Sequence, residues 1–109
     1  MFDSSSLSFD VASFRHRALG KLIQVRFAED FALRLTPAEA SSLSFALVAV
    51  RDGVSPEREI YMSPIASDAA FIAAVHDTGV NITLPNGKLE LDWIGVGTLA
   101  ESLAINIDQ

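Results

Sequence analysis

His76 is the only histidine of this sequence that stands beside a carboxylate, Asp77. Metal-dependent phosphohydrolases use such pairs, but a hydrolytic metal centre needs several further ligands. The sequence offers only one other histidine, His16, and no cysteine. We predict His76 in the last turn of a helix, where positive charge is favoured, and this position explains it without a metal.

Glu90 and Asp92 are a second pair of groups that could react, two residues apart in a segment of alternating polarity. Alternation places both carboxylates on one face of a strand, and paired carboxylates catalyse proton transfer when their surroundings separate their pKa values. The predicted face is the polar side of a hairpin, where solvated acids are common. We predict no catalytic role and treat the pair as a candidate acidic surface for a partner.

Four arginines form a candidate basic patch: Arg15, Arg17, Arg26 and Arg34. Clustered arginines bind phosphates or acidic proteins when they share a surface. No exposed aromatic residues alternate with these four, and the net charge of −6 disfavours nucleic acid. We expect a solvated strand face, or an electrostatic match to the acidic C-terminal half, and no nucleic-acid binding.

Gly95 and Gly97 follow a predicted strand, as the first two glycines of a dinucleotide-binding turn do. The third glycine is missing, because Ala100 stands in its place, and the preceding strands form a hairpin where a parallel unit is needed. No serine lies in a G-x-S-x-G context. We therefore predict no cofactor, no catalytic residue and no enzymatic activity.

The first 35 residues show the alternation of antiparallel strands. The run beginning at Leu7 slips out of phase at Phe14, which predicts a bulge at 12–13. Two further runs meet at a predicted three-residue loop, 28–30, in a hairpin. Its predicted pairs are Phe27 with Phe31, Val25 with Leu33, and Ile23 with Leu35.

Residues 36–53 carry the strongest helix signal of the chain. Thr36 and Glu39 make a capping box around Pro37, and Gly53 is placed to end the helix. The apolar stripe predicted to face the core consists of Ala40, Leu43, Leu47 and Val50.

Phe45 and Val48 lie off that stripe, so this helix is apolar around most of its circumference. One small sheet cannot cover such a helix, and apolar surface left uncovered marks an interaction site. We therefore predict a homodimer with Ser41, Phe45 and Val48 at the interface.

The second half of the chain contains a possible short strand, a helix, a hairpin and a last helix. The strand is 59–62, and we leave open whether it joins the main sheet. Ser67 is predicted to begin a helix that ends at Gly79, and a final helix covers 98–105, capped by Thr98 with Glu101. The hairpin 80–93 turns at Asn86–Gly87, with predicted pairs Leu84–Leu89, Ile82–Leu91 and Val80–Trp93.

These elements predict an α+β fold in which a mostly antiparallel sheet of about five to six strands is packed by three helices. The sheet would combine the N-terminal three-stranded meander with the Asn-Gly hairpin. At 109 residues the chain predicts one domain, over 7–109, with a disordered tail at 1–6. The start of the chain is acidic and serine-rich, unlike a secretory signal, and no apolar run has the length of a membrane span. We expect a cytoplasmic protein.

Charge is unevenly divided along the chain. Residues 1–51 hold six basic and five acidic groups, whereas 52–109 hold two basic and nine acidic groups. The favoured interpretation is a small non-enzymatic interaction or regulatory domain that forms a homodimer. Two alternatives stay open: an acidic inhibitor that covers the basic site of a target protein, and a small-molecule binder or enzyme with a cleft between sheet and helices.

Overall fold

The computed structural model of the chain describes residues 9–108 and contains seven strands and two helices in that range. The first half holds β1 (Asp10–His16), β2 (Gly20–Ala28), β3 (Phe31–Leu35) and α1 (Pro37–Arg51). The second half holds β4 (Glu59–Met62), β5 (Phe71–His76), β6 (Gly79–Leu84), β7 (Gly87–Asp92) and α2 (Trp93–Ile107). The predicted tail at 1–6, and Leu7, lie outside the described residues.

The strands form two antiparallel sheets, in the orders β1-β2-β3 and β4-β5-β6-β7. The predicted α+β class with antiparallel pairing is confirmed. The prediction of one sheet with five to six strands and three helices is wrong in its counts. The short strand β4, which the sequence left unplaced, is an edge strand of the second sheet.

The β2–β3 hairpin follows the predicted register except next to its turn. Ile23 pairs with Leu35 and Val25 with Leu33, as predicted, but the ladder then shifts at Phe27, so that Ala28 pairs with Phe31. The turn is therefore the two residues 29–30 and not the predicted three. The bulge thus lies at the end of β2.

The bulge predicted at 12–13 of β1 does not exist, because β1 pairs with β2 without interruption from Asp10 to His16. Phe14 is opposite Leu22 and lies on the face of the sheet that points away from the common core. Its break in phase marks a residue of the outer face that is half-buried there.

The helix α1 begins and ends where its signals predict. The Thr36 hydroxyl accepts a hydrogen bond from the Glu39 amide, at 3.2 Å, and the Glu39 carboxylate accepts one from the Thr36 amide, at 2.9 Å. All four residues of the predicted stripe are buried: Ala40, Leu43, Leu47 and Val50.

The helix predicted from Ser67 to Gly79 is absent, and β5 occupies 71–76 in its place. The alanine-rich sequence favours a helix locally, but β5 is the central partner of both β4 and β6. Phe71 and Ala73 alternate with more exposed neighbours, and the small Ala73 side chain is fully buried. Tertiary pairing therefore overrides local propensity in this segment.

The β6–β7 hairpin is confirmed, but its register differs from the predicted one by two residues. Ile82 pairs with Leu89 and Val80 with Leu91, because the two turn residues are 85–86, and Gly87 already belongs to β7. A shift of two residues keeps each side chain on its predicted face.

The last helix is longer than predicted, because it begins at Trp93 directly after β7. Asp92 is its N-cap, and its carboxylate accepts the Gly95 amide at 2.8 Å. The predicted capping box fails because Thr98 is already inside the helix, where its hydroxyl donates to the Ile94 carbonyl at 3.0 Å.

Both sheets and both helices contribute to one continuous hydrophobic core. The sheets meet where the rings of Phe27 in β2 and Phe71 in β5 approach within 5.8 Å, centroid to centroid. The helix α2 contacts strands of both sheets, and α1 contacts β2, β3 and β4. Each helix therefore ties the two sheets together.

The order strand, strand, strand, helix occurs twice, as β1-β2-β3-α1 and β5-β6-β7-α2. Each series ends with a capped helix of 15 residues, and β4 is added at the edge of the second sheet. The two halves of the chain thus repeat one arrangement.

Candidate interaction surfaces

The two helices are in direct contact along one side of the molecule. The Ser44 hydroxyl of α1 donates to the Ala100 carbonyl of α2 at 2.9 Å. Further along α1, a Cβ added to Gly97 of α2 would lie 2.9 Å from a terminal nitrogen of Arg51. Small residues on α2 therefore let the side chains of α1 lie directly on its backbone.

A groove of about 700 Å³ runs between α1 and α2 on their outer side. Its apolar lining includes Val48 from α1 and Trp93, Ile94 and Ala104 from α2, and Glu101 adds a charge. The helices thus present an open, mainly apolar depression flanked by two ridges.

The ridges carry the two most exposed large apolar side chains of the helices. Phe45 is 76% exposed and Ile94 is 80% exposed. At 100° per residue, Phe45 projects from the side of α1 opposite its buried stripe, with Ser41 and Val48 beside it. The three predicted interface residues therefore share one surface, with Val48 half-buried in the groove.

The sequence prediction did not include Ile94, because the last helix was predicted to begin at Thr98, four residues after it. Asp92 is a favoured residue type at a helix N-cap, whereas Gly95 and Gly97 have low helix propensity. Gly97 has no Cβ and therefore leaves room for the end of the Arg51 side chain.

Arg51 and Asp52 form an exposed ion pair at the end of α1, with Nε and Oδ1 2.9 Å apart. The hydrogen bond from the guanidinium lowers the pKa of the Asp52 carboxyl and raises that of Arg51. Such an exposed pair contributes little to folding stability. Arg51 also lines the α1–α2 groove at this end of α1.

The two residues of the predicted acidic surface, Glu90 and Asp92, have different roles in the structure. The Asp92 carboxylate caps α2, whereas Glu90 is exposed on β7 and its Oε2 lies 3.5 Å from Nε2 of His76. Both residues lie on the outer face of the second sheet, as the alternation predicts. Only Glu90 keeps its carboxylate available to a partner.

Glu59 joins Glu90 on this outer face. The strand register places Glu59, Ala74, Asn81 and Glu90 in one row across four strands, so the Cα atoms of the two glutamates are about 14 Å apart, at three strand spacings. Tyr61 is 63% exposed beside this row. The second sheet thus offers an open face with one aromatic ring and two acids.

His76 is at the end of β5 and not in the last turn of a helix, so the explanation by a helix dipole is wrong. Its Nδ1 accepts the amide of Thr78 at 3.3 Å, within the turn that leads to β6. His16 does the same at the end of β1, where its Nδ1 accepts the amides of Ala18 and Leu19, each at 3.1 Å. Both histidines stabilise turns.

The four arginines of the candidate basic patch do not form one cluster. Arg26 and Arg34 lie on the outer face of the first sheet, whereas Arg15 alternates onto the other face and Arg17 is in the β1–β2 turn. Arg34 lies over the ring of Phe14, with 5.9 Å between the guanidinium carbon and the ring centroid. The first sheet therefore carries a patch of two arginines.

Within residues 9–108, no three histidine, cysteine, aspartate or glutamate side chains are grouped so that they could hold a metal ion. Neither of the two helices has the length and apolar character that crossing a bilayer requires. In comparisons with known proteins, the chain matches no protein-family model, no curated protein sequence and no solved structure.

Proposed function

We propose that this protein is a small non-enzymatic interaction domain that forms a homodimer through the outer surface of α1 and α2. The observation that carries the proposal is the exposure of Phe45 on α1 and of Ile94 on α2, the two helices that enclose one mainly apolar groove, which Ile94 also lines. Exposed apolar surface rimmed by polar groups is typical of protein-binding sites. Arg51 and Glu101 supply the polar groups here.

A second copy is the occupant that this surface favours. A two-fold interface uses the same patch on both copies, so each copy brings two ridges and one groove to the contact. Burial of one phenylalanine or isoleucine side chain contributes about 1.5–3 kcal/mol. Two copies packed through this face would cover Phe45 and Ile94 of both chains in a four-helix layer.

The proposal is tested by charge introduced on the ridges. Phe45→Asp and Ile94→Asp are compared with Val54→Asp, a matched control in the loop after α1, where Val54 is 79% exposed. Sedimentation equilibrium at about 100 µM, which detects affinities in the micromolar range, should give a dimer for the wild type and Val54→Asp. The two ridge variants should be monomers with unchanged circular dichroism.

Two results would contradict the proposal. The first is a monomeric wild type at that concentration. The second is equal dissociation of the Val54→Asp control, which would show that any exposed charge disturbs association. The cytoplasm is the location we propose with this function.

A second candidate function, an acidic inhibitor of a basic protein, is favoured by the outer face of the second sheet. Glu59, Glu90 and the exposed Tyr61 would bind basic side chains of the target. Capture of a basic protein that is weakened by salt and by Glu59→Lys or Glu90→Lys would support it. Binding that these reversals leave unchanged would reject it.

A further inference from the structure

Three polar side chains, Gln24, Arg26 and Arg34, lie on the outer face of the first sheet and line one groove. Gln24 pairs with Arg34 across β2 and β3, and Arg26 follows Gln24 on the same face. The two arginines are therefore diagonal neighbours, with Cα atoms roughly 7 Å apart.

Both guanidinium groups are held in place by contacts that use few of their donors. Arg34 lies over the Phe14 ring, and Arg26 donates one hydrogen bond from Nη1 to the Glu29 carbonyl at 3.0 Å. Neither arginine takes part in an ion pair within the described part of the chain. A guanidinium carries five N–H donors, so most of them remain available in a preorganised fork.

The segment before β5 forms a wall beside these arginines. The Ser67 hydroxyl accepts the Arg34 amide at 2.7 Å and donates to the Arg34 carbonyl at 3.0 Å. This reciprocal pair fixes 66–69 against the edge of β3. The groove enclosed between wall and sheet has a volume of about 340 Å³, within the range of sites that bind small molecules.

Two carboxylates also line this groove and restrict what it can hold. Asp30 accepts a hydrogen bond from Asn86 at 3.3 Å, and Asp68 lies on the wall beside Ser67. Together they balance the charge of the two arginines, so the groove offers no net positive charge to an extended polyanion such as nucleic acid. A small anion can reach the arginines between them.

We propose that this groove binds a small anion through a carboxylate or phosphoryl group, with Arg26 and Arg34 as its bidentate donors and Gln24 as a third. Planar guanidinium groups match the geometry of both oxyanions. The site is separate from the α1–α2 surface, and it does not depend on dimer formation.

The test is a two-dimensional NMR titration of the full-length protein with inorganic phosphate and, separately, with sodium acetate, against sodium chloride at equal ionic strength. Saturable shifts are expected for the amides of Gln24, Arg34 and Ser67 with at least one of the two anions. The anion whose titration saturates shows whether the groove recognises a phosphoryl group or a carboxylate.

Matched variants decide whether the two arginines are responsible. Arg26→Gln/Arg34→Gln should weaken binding about tenfold, as expected for the loss of charged hydrogen bonds, whereas Arg15→Gln/Arg17→Gln removes equal charge elsewhere and should leave binding within about twofold. Arg26→Gln alone serves if the double variant is misfolded, since Arg26 makes only one exposed contact.

Two outcomes would overturn the proposal. One is the absence of saturable shifts with both anions up to about 50 mM, a limit that includes very weak sites. The other is equally weakened anion binding in both double variants, which would show that net charge, and not the two arginines of the groove, determines the affinity.

Discussion

His16 and His76 occupy equivalent places in the two halves of the chain. Each is the last residue of a strand, and each accepts amide hydrogens of the following turn on its Nδ1. The proton of the neutral ring is therefore on Nε2 in both residues. The two histidines of this sequence are explained by the turns that they stabilise.

Replacement of His16 by alanine should lower the free energy of unfolding by about 1 kcal/mol, because two turn amides lose their acceptor. His16→Asn should retain most of the stability, since an asparagine oxygen can accept the same amides. Urea denaturation of the two variants measures the difference. Equal loss in both would show that the acceptor atom is not the cause.

Gly79→Ala and Gly97→Ala should change stability in opposite directions. A Cβ on Gly79 would overlap the backbone carbonyl of Leu91 in β7, which cannot move without breaking the ladder, so we expect a loss of about 1–3 kcal/mol. A Cβ on Gly97 meets only the end of the flexible Arg51 side chain, so improved helix propensity should add about 0.5–1 kcal/mol. Thermal unfolding measures both changes, and destabilisation by Gly97→Ala would contradict the second.

Asp92→Ala should lower the free energy of unfolding by about 1 kcal/mol, because the first turn of α2 loses its cap. Asp92→Asn removes the charge but keeps an oxygen for the Gly95 amide, so its stability should stay near that of the wild type. Denaturant unfolding compares the two variants. A large loss in Asp92→Asn would mean that charge, rather than the hydrogen bond, stabilises this helix end.

The Arg51 guanidinium holds the pKa of the Asp52 carboxyl below its ordinary value by a hydrogen bond. A lowered native pKa means that this small contribution to stability is present above the ordinary carboxyl pKa. It is lost as the pH falls through the lowered value. In Arg51→Gln the pKa of Asp52 should rise toward its ordinary value, which a carbon-detected NMR titration of Asp52 measures. An unchanged titration would show that another group lowers it.

The parts of the fold that sequence reasoning predicted correctly depend on local chemistry. The capping box of Thr36 and Glu39 acts within four residues, and the Val25–Leu33 pair follows from alternation on both sides of a short turn. Both signals are complete within a single element or hairpin. The structure adds only the bulge at Phe27.

The predictions that were wrong concern segments whose secondary structure depends on residues far away in the sequence. Residues 67–79 have the alanine content of a helix, yet β4 and β6 pair with 71–76 from both sides. Gly97 of α2 lies against the Arg51 side chain of α1, a contact between residues far apart in the sequence that no local pattern indicates. The α1–α2 groove could not be predicted for the same reason, and Phe45 and Val48 could be identified only as apolar residues off the main stripe.

Each helix packs against strands of both sheets, so neither half of the chain contains a complete hydrophobic core by itself. A cut between Ser55 and Pro56 would leave α1 without β4 and α2 without β1 and β2. We expect two such fragments to be unstructured when separate and to regain the native circular dichroism when mixed. The molecule would then behave as an intramolecular complex of two incomplete modules, joined by a tether that raises their effective concentration.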